Sequence, residues 1–219
     1  FDIYFDNITA EQGSAIPIPP SGPTNNAADP TSLVGDVISI FSDTYLDVPG
    51  TNFNPNWNQS TSVNATLDPA QNGNKVLSYT NFNYQGTEFS VQDISSMEYL
   101  HVDIWIEGTF NPNVYVISSG TEIPHAITNT GANSWISVDI PVLGITGDLT
   151  NCFQFKFDGG NGSTDAIYLD NLYFWKSPTN TCGATGTFTY LSGMDISNSL
   201  NSFTNPGGNV SLDFSAGST

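Results

Sequence analysis

Positively charged side chains are almost absent from this sequence. It contains three lysines, no arginine and 21 acidic residues, which gives a formal net charge of −18 at pH 7. Nucleic acids and anionic membranes attract proteins through basic side chains that displace counterions. We therefore predict no nucleic-acid partner, whereas divalent cations and neutral ligands are compatible with this charge. A secreted, extracellular protein in a salty medium also fits, because salt screens the repulsion between the acidic groups.

Long apolar runs and cysteines are scarce as well. No segment approaches the roughly 20 apolar residues that a membrane-spanning helix needs, so we predict no direct membrane insertion. The two cysteines, Cys152 and Cys182, are compatible with two readings. They are either unrelated small apolar side chains or a disulfide that pins the C-terminal segment to the body in an oxidising compartment.

The sequence also lacks the groups of a catalytic site. Its two histidines, His101 and His125, do not have the spacing of metal ligands, and the pattern Gly-x-Ser-x-Gly is missing. Asp103 and Glu107 share one face of a predicted strand, but about 13 Å of extended chain separates them. A nucleophile and acid pair of a retaining glycosidase needs about 5 Å. We predict that the protein is not an enzyme.

Short runs of alternating apolar residues fill the middle of the chain. In "YLHVDIWIEG" the side chains of Leu100, Val102, Ile104 and Ile106 fall on one face, opposite Tyr99, His101, Asp103 and Trp105. The run "NCFQFKFDGG" alternates in the same way, and "SWISVDIPV", "NVYVIS", "KVLSYTNF" and "DVISIF" add further strands. Clusters of Gly, Asn, Pro and Asp separate the runs, and no amphipathic helix is recognisable. This pattern predicts an all-β protein, a β-sandwich of the jelly-roll type.

The first residues, "DIYFDNIT", resemble "AIYLDNLYF" near residue 170. We interpret residues 1–9 as the last strand of a preceding module or as an extra N-terminal strand of this one. Residues 10–33, rich in Pro, Ser and Asn, are predicted to be a linker. The module itself would span 34–178, and 179–219 would begin a following β module of Ig-like type. Covalently linked neighbouring modules are therefore expected partners.

An ordered set of motifs resembles a known family. "DVISIFSDTYLDVPGTNFNPNWNQST", "YTNFNYQGTEF", "YLHVDIWIEG", "FQFKFDGGNG" and "IYLDNLYFW" follow one another as in calcium-binding jelly-roll carbohydrate-binding modules of galactose-binding-like fold. Such modules are attached to glucan- and laminarin-processing enzymes and to surface proteins of glycan-foraging bacteria. The resemblance implies a non-catalytic module of a secreted or cell-surface bacterial protein that binds a neutral polysaccharide, with a β-glucan such as laminarin as ligand.

The same resemblance implies a structural calcium ion. Asp170 matches the family's last-strand ligand, and Asp43, just after the opening strand, is the best match for the other end. Calcium requires several hard oxygen ligands, from carboxylates and backbone carbonyls. The alternative is that Asp170 only caps a turn through its side chain.

A sugar site needs aromatic rings that stack on pyranose C–H groups, together with amides and charged groups that bind hydroxyls. The outward positions of the predicted strands and two polar loops supply candidates: Trp57, Tyr84, Gln85, Tyr99, His101, Asp103, Trp105, Gln154 and Lys156. Lys156 is either a hydroxyl donor or a salt-bridge partner on an acidic surface. Trp135 and Trp175, at strand ends, are predicted to be structural.

A second function class stays open. The tail "NPGGNVSLDFSAGST" weakly resembles the start of Ig-like repeats in large secreted adhesins. The module would then be a structural spacer or adhesin repeat without a working sugar site.

Overall fold

The computed structural model describes residues 22–119, 122–160 and 165–178, all within the first of two units of the chain, Phe1–Thr179. The second unit is Asn180–Thr219. The predictions for residues 1–9 and 179–219, and the pairing of Cys152 with Cys182, fall on residues outside the described ranges. No helix in those ranges is long and apolar enough to cross a bilayer.

Within the described ranges the chain forms strands and one short 3₁₀ turn, Val34–Asp36. The strands are β1 Val37–Phe41, β2 Ser62–Leu67, β3 Val76–Thr80, β4 Tyr84–Gln92, β5 Tyr99–Ile106, β6 Asn113–Ile117, β7 His125–Ala126, β8 Trp135–Pro141, β9 Cys152–Asp158 and β10 Ile167–Trp175. All-β content was predicted from the alternation, and the structure confirms it.

Two antiparallel sheets make up the fold. The larger sheet has the order β2-β3-β10-β5-β8, with β1 paired to the second half of β10. The smaller sheet has the order β4-β9-β6-β7. Their inner faces meet in one apolar core, which contains Leu77, Leu100, Ile104 and Leu169 from the larger sheet with Val114, Val116, Phe155 and Phe157 from the smaller one. The predicted β-sandwich is therefore confirmed.

The central strand β10 contains a bulge at Asn171. The pairing with β5 shifts between Asp170 and Tyr173, and Asn171 has φ +50°, a left-handed conformation that Asn tolerates better than most residues. The extra residue preserves the alternation on both sides, since Leu169 and Leu172 both reach the core. Asp170 itself has no exposed surface.

The polar groups at this bulge are satisfied by neighbouring segments. Asn171 Nδ2 donates to the carbonyl oxygen of Ala28 at 3.0 Å and to Asp103 Oδ2 at 2.8 Å. Its Oδ1 accepts from the Ser42 hydroxyl at 3.2 Å. Because buried polar groups must find partners, Asn171 joins β10 to β5, to the residue after β1 and to the segment before β1.

Residues 22–33, which we call the strap, lie on the outer face of the larger sheet. The Trp135 indole donates to the carbonyl oxygen of Asn25 at 2.9 Å, and the Ala27 amide donates to Asp170 Oδ2 at 3.2 Å. The Tyr45 hydroxyl donates to the carbonyl oxygen of Ser32 at 2.8 Å. The strap is the C-terminal part of the predicted linker 10–33, and in the structure it packs on the module.

We predict that Asn171→Ala destabilises the protein by about 3 kcal/mol or more, because two buried hydrogen bonds and one partly buried hydrogen bond are lost at a left-handed residue. Asn171→Gly should cost about 1 kcal/mol less, since glycine adopts this φ freely. Urea denaturation measures both.

Asn133 supplies the matched control. It also has a positive φ, +56°, but its side chain is exposed. Asn133→Ala should cost no more than about 1 kcal/mol. Equal losses for Asn171→Ala and Asn133→Ala would contradict the role of the buried hydrogen bonds.

Candidate functional site

Among the described residues, the outer face of the smaller sheet carries mostly half-buried polar and aromatic side chains. Phe155 and Phe157 point into the core, so the residues between them point outward. Register pairing places outward side chains of three neighbouring strands side by side: Tyr84, Gly86 and Glu88 on β4, Gln154, Lys156 and Asp158 on β9, and Asn113, Tyr115 and Ile117 on β6. This surface, which we call the open face, brings together four of the predicted site residues: Trp57, Tyr84, Gln154 and Lys156.

Trp57 reaches the open face from the loop between β1 and β2. This loop is fastened to the edge of β4 by two backbone hydrogen bonds between Asn52 and Glu88, of 2.7 and 2.9 Å. Inside the loop the Gln59 side chain accepts from the Trp57 amide at 2.7 Å and donates to the carbonyl oxygen of Pro55, also at 2.7 Å. These bonds fix the loop locally, although its sequence is polar and has no periodic pattern.

The indole of Trp57 lies flat on Gly86. A Cβ atom built on Gly86 would stand 2.5 to 2.6 Å from three carbons of the indole. The indole Nε1 donates to Glu88 Oε1 at 3.0 Å, and the Tyr84 hydroxyl donates to the carbonyl oxygen of Trp57 at 2.6 Å. With its inner face against the strand, the half-buried ring directs its other face away from the sheet.

A second aromatic ring, Tyr115, stands two strands away. Gly86, Lys156 and Tyr115 are register partners across β4, β9 and β6, so about 9.5 Å separates the outer two positions. Lys156 Nζ donates to Glu122 Oε2 at 2.8 Å and lies 3.9 Å from the centre of the Tyr115 ring. Both readings of Lys156 therefore stay possible, because it is paired and also borders the open face.

The sequence prediction missed Tyr115, although the signal was present. In "NVYVI" the valines alternate with Asn113 and Tyr115, which places the tyrosine on the face opposite the core.

Gln85 was predicted to contact sugar, and the structure corrects its orientation. It lies on the core side of β4 with no exposed surface. Its Nε2 donates to the carbonyl oxygens of Gly86 at 2.9 Å and Phe53 at 3.3 Å. The strand begins at Tyr84, so strict alternation directs Tyr84 and Gly86 outward and Gln85 inward.

The other predicted residues lie on the opposite side of the sandwich. Tyr99, His101, Asp103 and Trp105 are on the outer face of the larger sheet, as the alternation of β5 predicted. There the rings pair within the protein. Tyr99 stacks on Trp175 at 5.1 Å, His101 stacks on Tyr173 at 4.8 Å, and Trp105 meets the edge of Trp135 at 5.9 Å. The structure thus does not bring all the predicted residues into one site.

The strap also encloses a small polar pocket on this side. About 380 Å³ lies between residues 28–32 and the larger sheet, lined by His101, Asp103, Ser137, Asp139, Tyr173 and Trp175. Most of its polar groups bond to one another. Asp103 accepts from the Ser137 hydroxyl and from Asn171, and Asp139 accepts from the Trp175 indole at 2.9 Å.

His101 lies between two carboxylates in this pocket. Its Nδ1 is 2.9 Å from Asp139 Oδ1 and its Nε2 is 3.6 Å from Asp103 Oδ2. Burial lowers the pKa of His101, but the two carboxylates outweigh burial, and the pKa is raised. Burial raises the pKa of Asp103, and its bonds to His101, Ser137 and Asn171 bring that pKa below its usual value.

Asp170 sits in an unusual electrostatic position at the bulge. Burial and, to a smaller extent, the nearby charges of Asp103 and Asp43 raise its pKa to about 7 in all, although the backbone amides of Ala27 and Asn171 donate to it. The Oδ1 atom of Asn26, next to Ala27, is buried without a hydrogen-bond donor. Asp43, exposed after β1, accepts from the Lys75 amide.

The oxygen atoms around Asp170 are of the kind that calcium prefers. In the described ranges no three side chains of His, Cys, Asp or Glu are grouped as for a metal ion. A cation here would therefore need amide or backbone carbonyl oxygens to complete its ligands. The unpartnered Oδ1 of Asn26, the residue before Ala27, is a candidate for such a ligand.

Of the known proteins compared with this chain, only solved structures are similar to it. No protein-family model matches the sequence, and no curated protein matches it. The family 11 carbohydrate-binding module of a cellulosomal cellulase of Clostridium thermocellum is 18% identical, with a TM-score of 0.42 over 67% of this chain and 97% of that module.

Two further structures were solved with sugars bound. One is a family 11 module from Clostridium thermocellum with a beta-1,3-1,4-mixed-linked tetrasaccharide, at 18% identity and a TM-score of 0.37 over 58% of this chain and 88% of that one. The other is a family 29 module with mannohexaose, at 13% identity and a TM-score of 0.40 over 63% and 89% of the two chains. These structures are carbohydrate-binding modules, the class that the sequence resembles. The ligand of this chain has to be inferred from its own surface, because identities and TM-scores are low.

His101 generates a pH prediction. Its folded pKa lies above the unfolded value of about 6.5, so its charge stabilises the fold fully below that pH and loses this effect as pH rises through the folded pKa. The free-energy difference between the unmodified protein and His101→Gln should therefore shrink from pH 5.5 to pH 8.5, as followed by urea denaturation.

His125→Gln is the control, because the His125 ring contacts the carbonyl oxygen of Ile145 at 3.1 Å instead of two carboxylates. A difference for His101→Gln that stays constant or grows with pH would refute the charged pair.

Proposed function

We propose that this chain is a non-catalytic carbohydrate-binding module that binds a neutral polysaccharide, a β-glucan such as laminarin, on its open face. The observation that carries the proposal is the Trp57 indole, which is held flat on the sheet with its outer face turned away from it. A fixed aromatic ring of this kind can stack on the C–H surface of a pyranose without losing much conformational freedom on binding.

The groups around the ring suit a chain of sugars. Gln154 and Lys156 lie on the next strand, and Tyr115 lies beyond them. Amide and ammonium groups can donate to hydroxyls, and the carboxylates Glu88 and Asp158 can accept from them. A ligand that crosses the strands would meet Trp57 first and Tyr115 about 9.5 Å later, a distance comparable with a disaccharide in an extended glycan.

Charge supports a neutral ligand. Each lysine of the chain is already close to a carboxylate: Lys75 to Asp68 at 3.5 Å, Lys156 to Glu122 at 2.8 Å and Lys176 to Asp36 at 4.0 Å. No lysine is therefore uncommitted toward a sulfated or uronate polymer, and the net charge of −18 repels such polymers.

The outer face of the larger sheet is less suited to a polysaccharide. The strap crosses it, and the Trp135 indole is bonded to the strap at Asn25. Trp105 packs on Trp135, and its Nε1 is buried without a partner. Trp105 and Trp135 are half-buried, as Trp57 is, but they pack on each other, which leaves less of each ring for stacking on a sugar.

We also propose a structural calcium ion at Asp170, held with Asp43 and the Asn26 side-chain oxygen. Such an ion would offset the repulsion between the charges of Asp170 and Asp43, and it would tie β10 to the strap and to the segment after β1. An extracellular location, in a secreted or cell-surface bacterial protein with neighbouring modules, completes the proposal and is compatible with the acidic composition.

Calcium removal tests the metal site. EDTA should lower the melting temperature of the unmodified protein, and calcium should restore it, because a ligand of the native state adds stability by mass action. Asp170→Asn should abolish this response, whereas Asp93→Asn, at an exposed site, should keep it. An unchanged melting curve on chelation would exclude a stabilising calcium ion.

Two tryptophan substitutions test the sugar site. Trp57→Ala should weaken binding to laminarin or mixed-linkage β-glucan at least several-fold, measured by affinity electrophoresis and calorimetry. Trp105→Ala should leave that affinity unchanged, because Trp105 lies on the outer face of the larger sheet, on the side opposite the open face.

Loss of binding in Trp105→Ala alone would move the site to the larger sheet. If the unmodified protein retains no affinity for any of a panel of neutral glycans, the spacer or adhesin function gains over the binding function.

A further inference from the structure

We propose that Gly86 is a positioning residue, which sets the height and tilt of the Trp57 indole on the open face. This inference rests on the proposed function, because the height of the ring matters only if a ligand stacks on it. It concerns a residue that has no side chain and contacts no ligand itself.

The space above Gly86 is already filled by the indole. A Cβ atom at this position would lie 2.5 Å from Cζ3 and 2.6 Å from both Cε3 and Cη2 of Trp57. Separations under 3.0 Å essentially do not occur for real Cβ atoms, and ordinary contact begins at 3.4 Å. Any other residue therefore forces the ring and the strand apart by about 1 Å.

Backbone conformation does not explain a glycine here. Gly86 is not among the glycines of positive φ, so an L-residue could adopt its backbone angles. An interior glycine weakens a strand, and it often marks a close approach of another group. At Gly86 that group is the indole of Trp57.

The strand has little freedom to move away from the ring. Gly86 pairs with Lys156 in the middle of the β4–β9 ladder, and its neighbours Gln85 and Thr87 are fully buried. A displacement of β4 would disturb the core, whereas the indole lies at the surface. An added side chain should therefore shift the indole.

Besides the contact of its ring face with Gly86, Trp57 is held at its indole nitrogen and at its backbone carbonyl. Its Nε1 bonds to Glu88, whose Oε1 also accepts from Gln154 at 3.3 Å. The backbone carbonyl of Trp57 accepts from the Tyr84 hydroxyl. A ring lifted from Gly86 cannot keep the Glu88 hydrogen bond at its present geometry. The contact with Gly86 and the hydrogen bond to Glu88 therefore fix the position of the ring together.

Ring height decides which other groups a stacked sugar can reach. With glycine at position 86 the ring lies close to the plane of the outward side chains, so one sugar can contact Trp57 and Gln154 together. A raised or tilted ring would hold the sugar away from Gln154 and Lys156. Gly86→Ala should therefore weaken binding even though Trp57 is still present.

A double-mutant cycle tests the inference. Gly86→Ala should weaken binding to laminarin at least several-fold, and Trp57→Ala should do the same, but the combined variant should be no weaker than Trp57→Ala alone. Gly35→Ala and Gly147→Ala are matched controls, since an added Cβ there meets nothing within 4 Å. Both controls should keep the unmodified affinity.

A readout without ligand separates this inference from the proposed function. Among the four tryptophans, the indole N–H resonance of Trp57 can be assigned by its loss in Trp57→Phe. It should shift in Gly86→Ala and stay in place in Gly147→Ala. If no glycan binds the unmodified protein, the proposed binding function is wrong. The shift of this resonance then still tests whether Gly86 sets the position of the Trp57 ring.

Stability gives a third measurement if Gly86→Ala folds poorly. Its loss of melting temperature should be relieved when Trp57→Ala removes the clashing ring. An unshifted resonance, equal affinity to the unmodified protein, or a stability loss that persists without the indole would each overturn the inference.

Discussion

The two polar residues at the centre of β10 are the constraint on which the rest of the structure depends. Asp170 and Asn171 are buried in the strand that pairs with β1, β3 and β5. Buried polar groups cost stability unless they are bonded, so this strand requires partners that an ordinary sheet does not supply. The left-handed bulge at Asn171 turns its amide toward Asp103 and the strap. These buried polar groups are satisfied by three other segments of the chain: the strap, β5 and the residue after β1.

The hydrogen bonds that Asp170 and Asn171 require also make the outer faces of the two sheets different. The strap lies on the outer face of the larger sheet because its backbone groups satisfy Asp170 and Asn171. The aromatic residues of that face are mostly half-buried and pack on one another. The fully buried polar residues of the smaller sheet, Gln85 and Thr87, lie on its core side, and its outer face is left for the loop that carries Trp57. The strap contacts that stabilise the fold and the proposed binding site therefore lie on opposite faces of the sandwich.

The small number of lysines in this acidic chain limits the kind of ligand that we propose for it. Surface ion pairs contribute little to stability, but they occupy every lysine of this protein. For the binding that we propose on the open face, recognition would then come from ring stacking and hydrogen bonds with neutral hydroxyls. The same acidity favours the calcium ion that we propose at Asp170, because like charges around a buried carboxylate raise the free energy of its ionised form.

Local patterns in the sequence determined the strands and, for several of them, the two faces. Alternation in β5 and β9 correctly separated Leu100 from His101 and Phe155 from Lys156, because side chains of a strand alternate whatever it pairs with. The same rule would have found Tyr115 on β6. It failed for Gln85, because the motif "NFNYQG" was treated as a loop, and the first residue of a strand depends on where pairing begins.

Only the tertiary structure decided which faces meet. Alternation tells inside from outside but does not assign strands to sheets, so Trp105 and Trp57 looked like members of one site while they lie on opposite sides of the core. The seat of Trp57 on Gly86 joins residues 29 positions apart, and the strap bonds to β10 across more than 140. Such contacts depend on register and on the path of loops, which are fixed by the packing of the whole sandwich and leave no periodic trace in the chain.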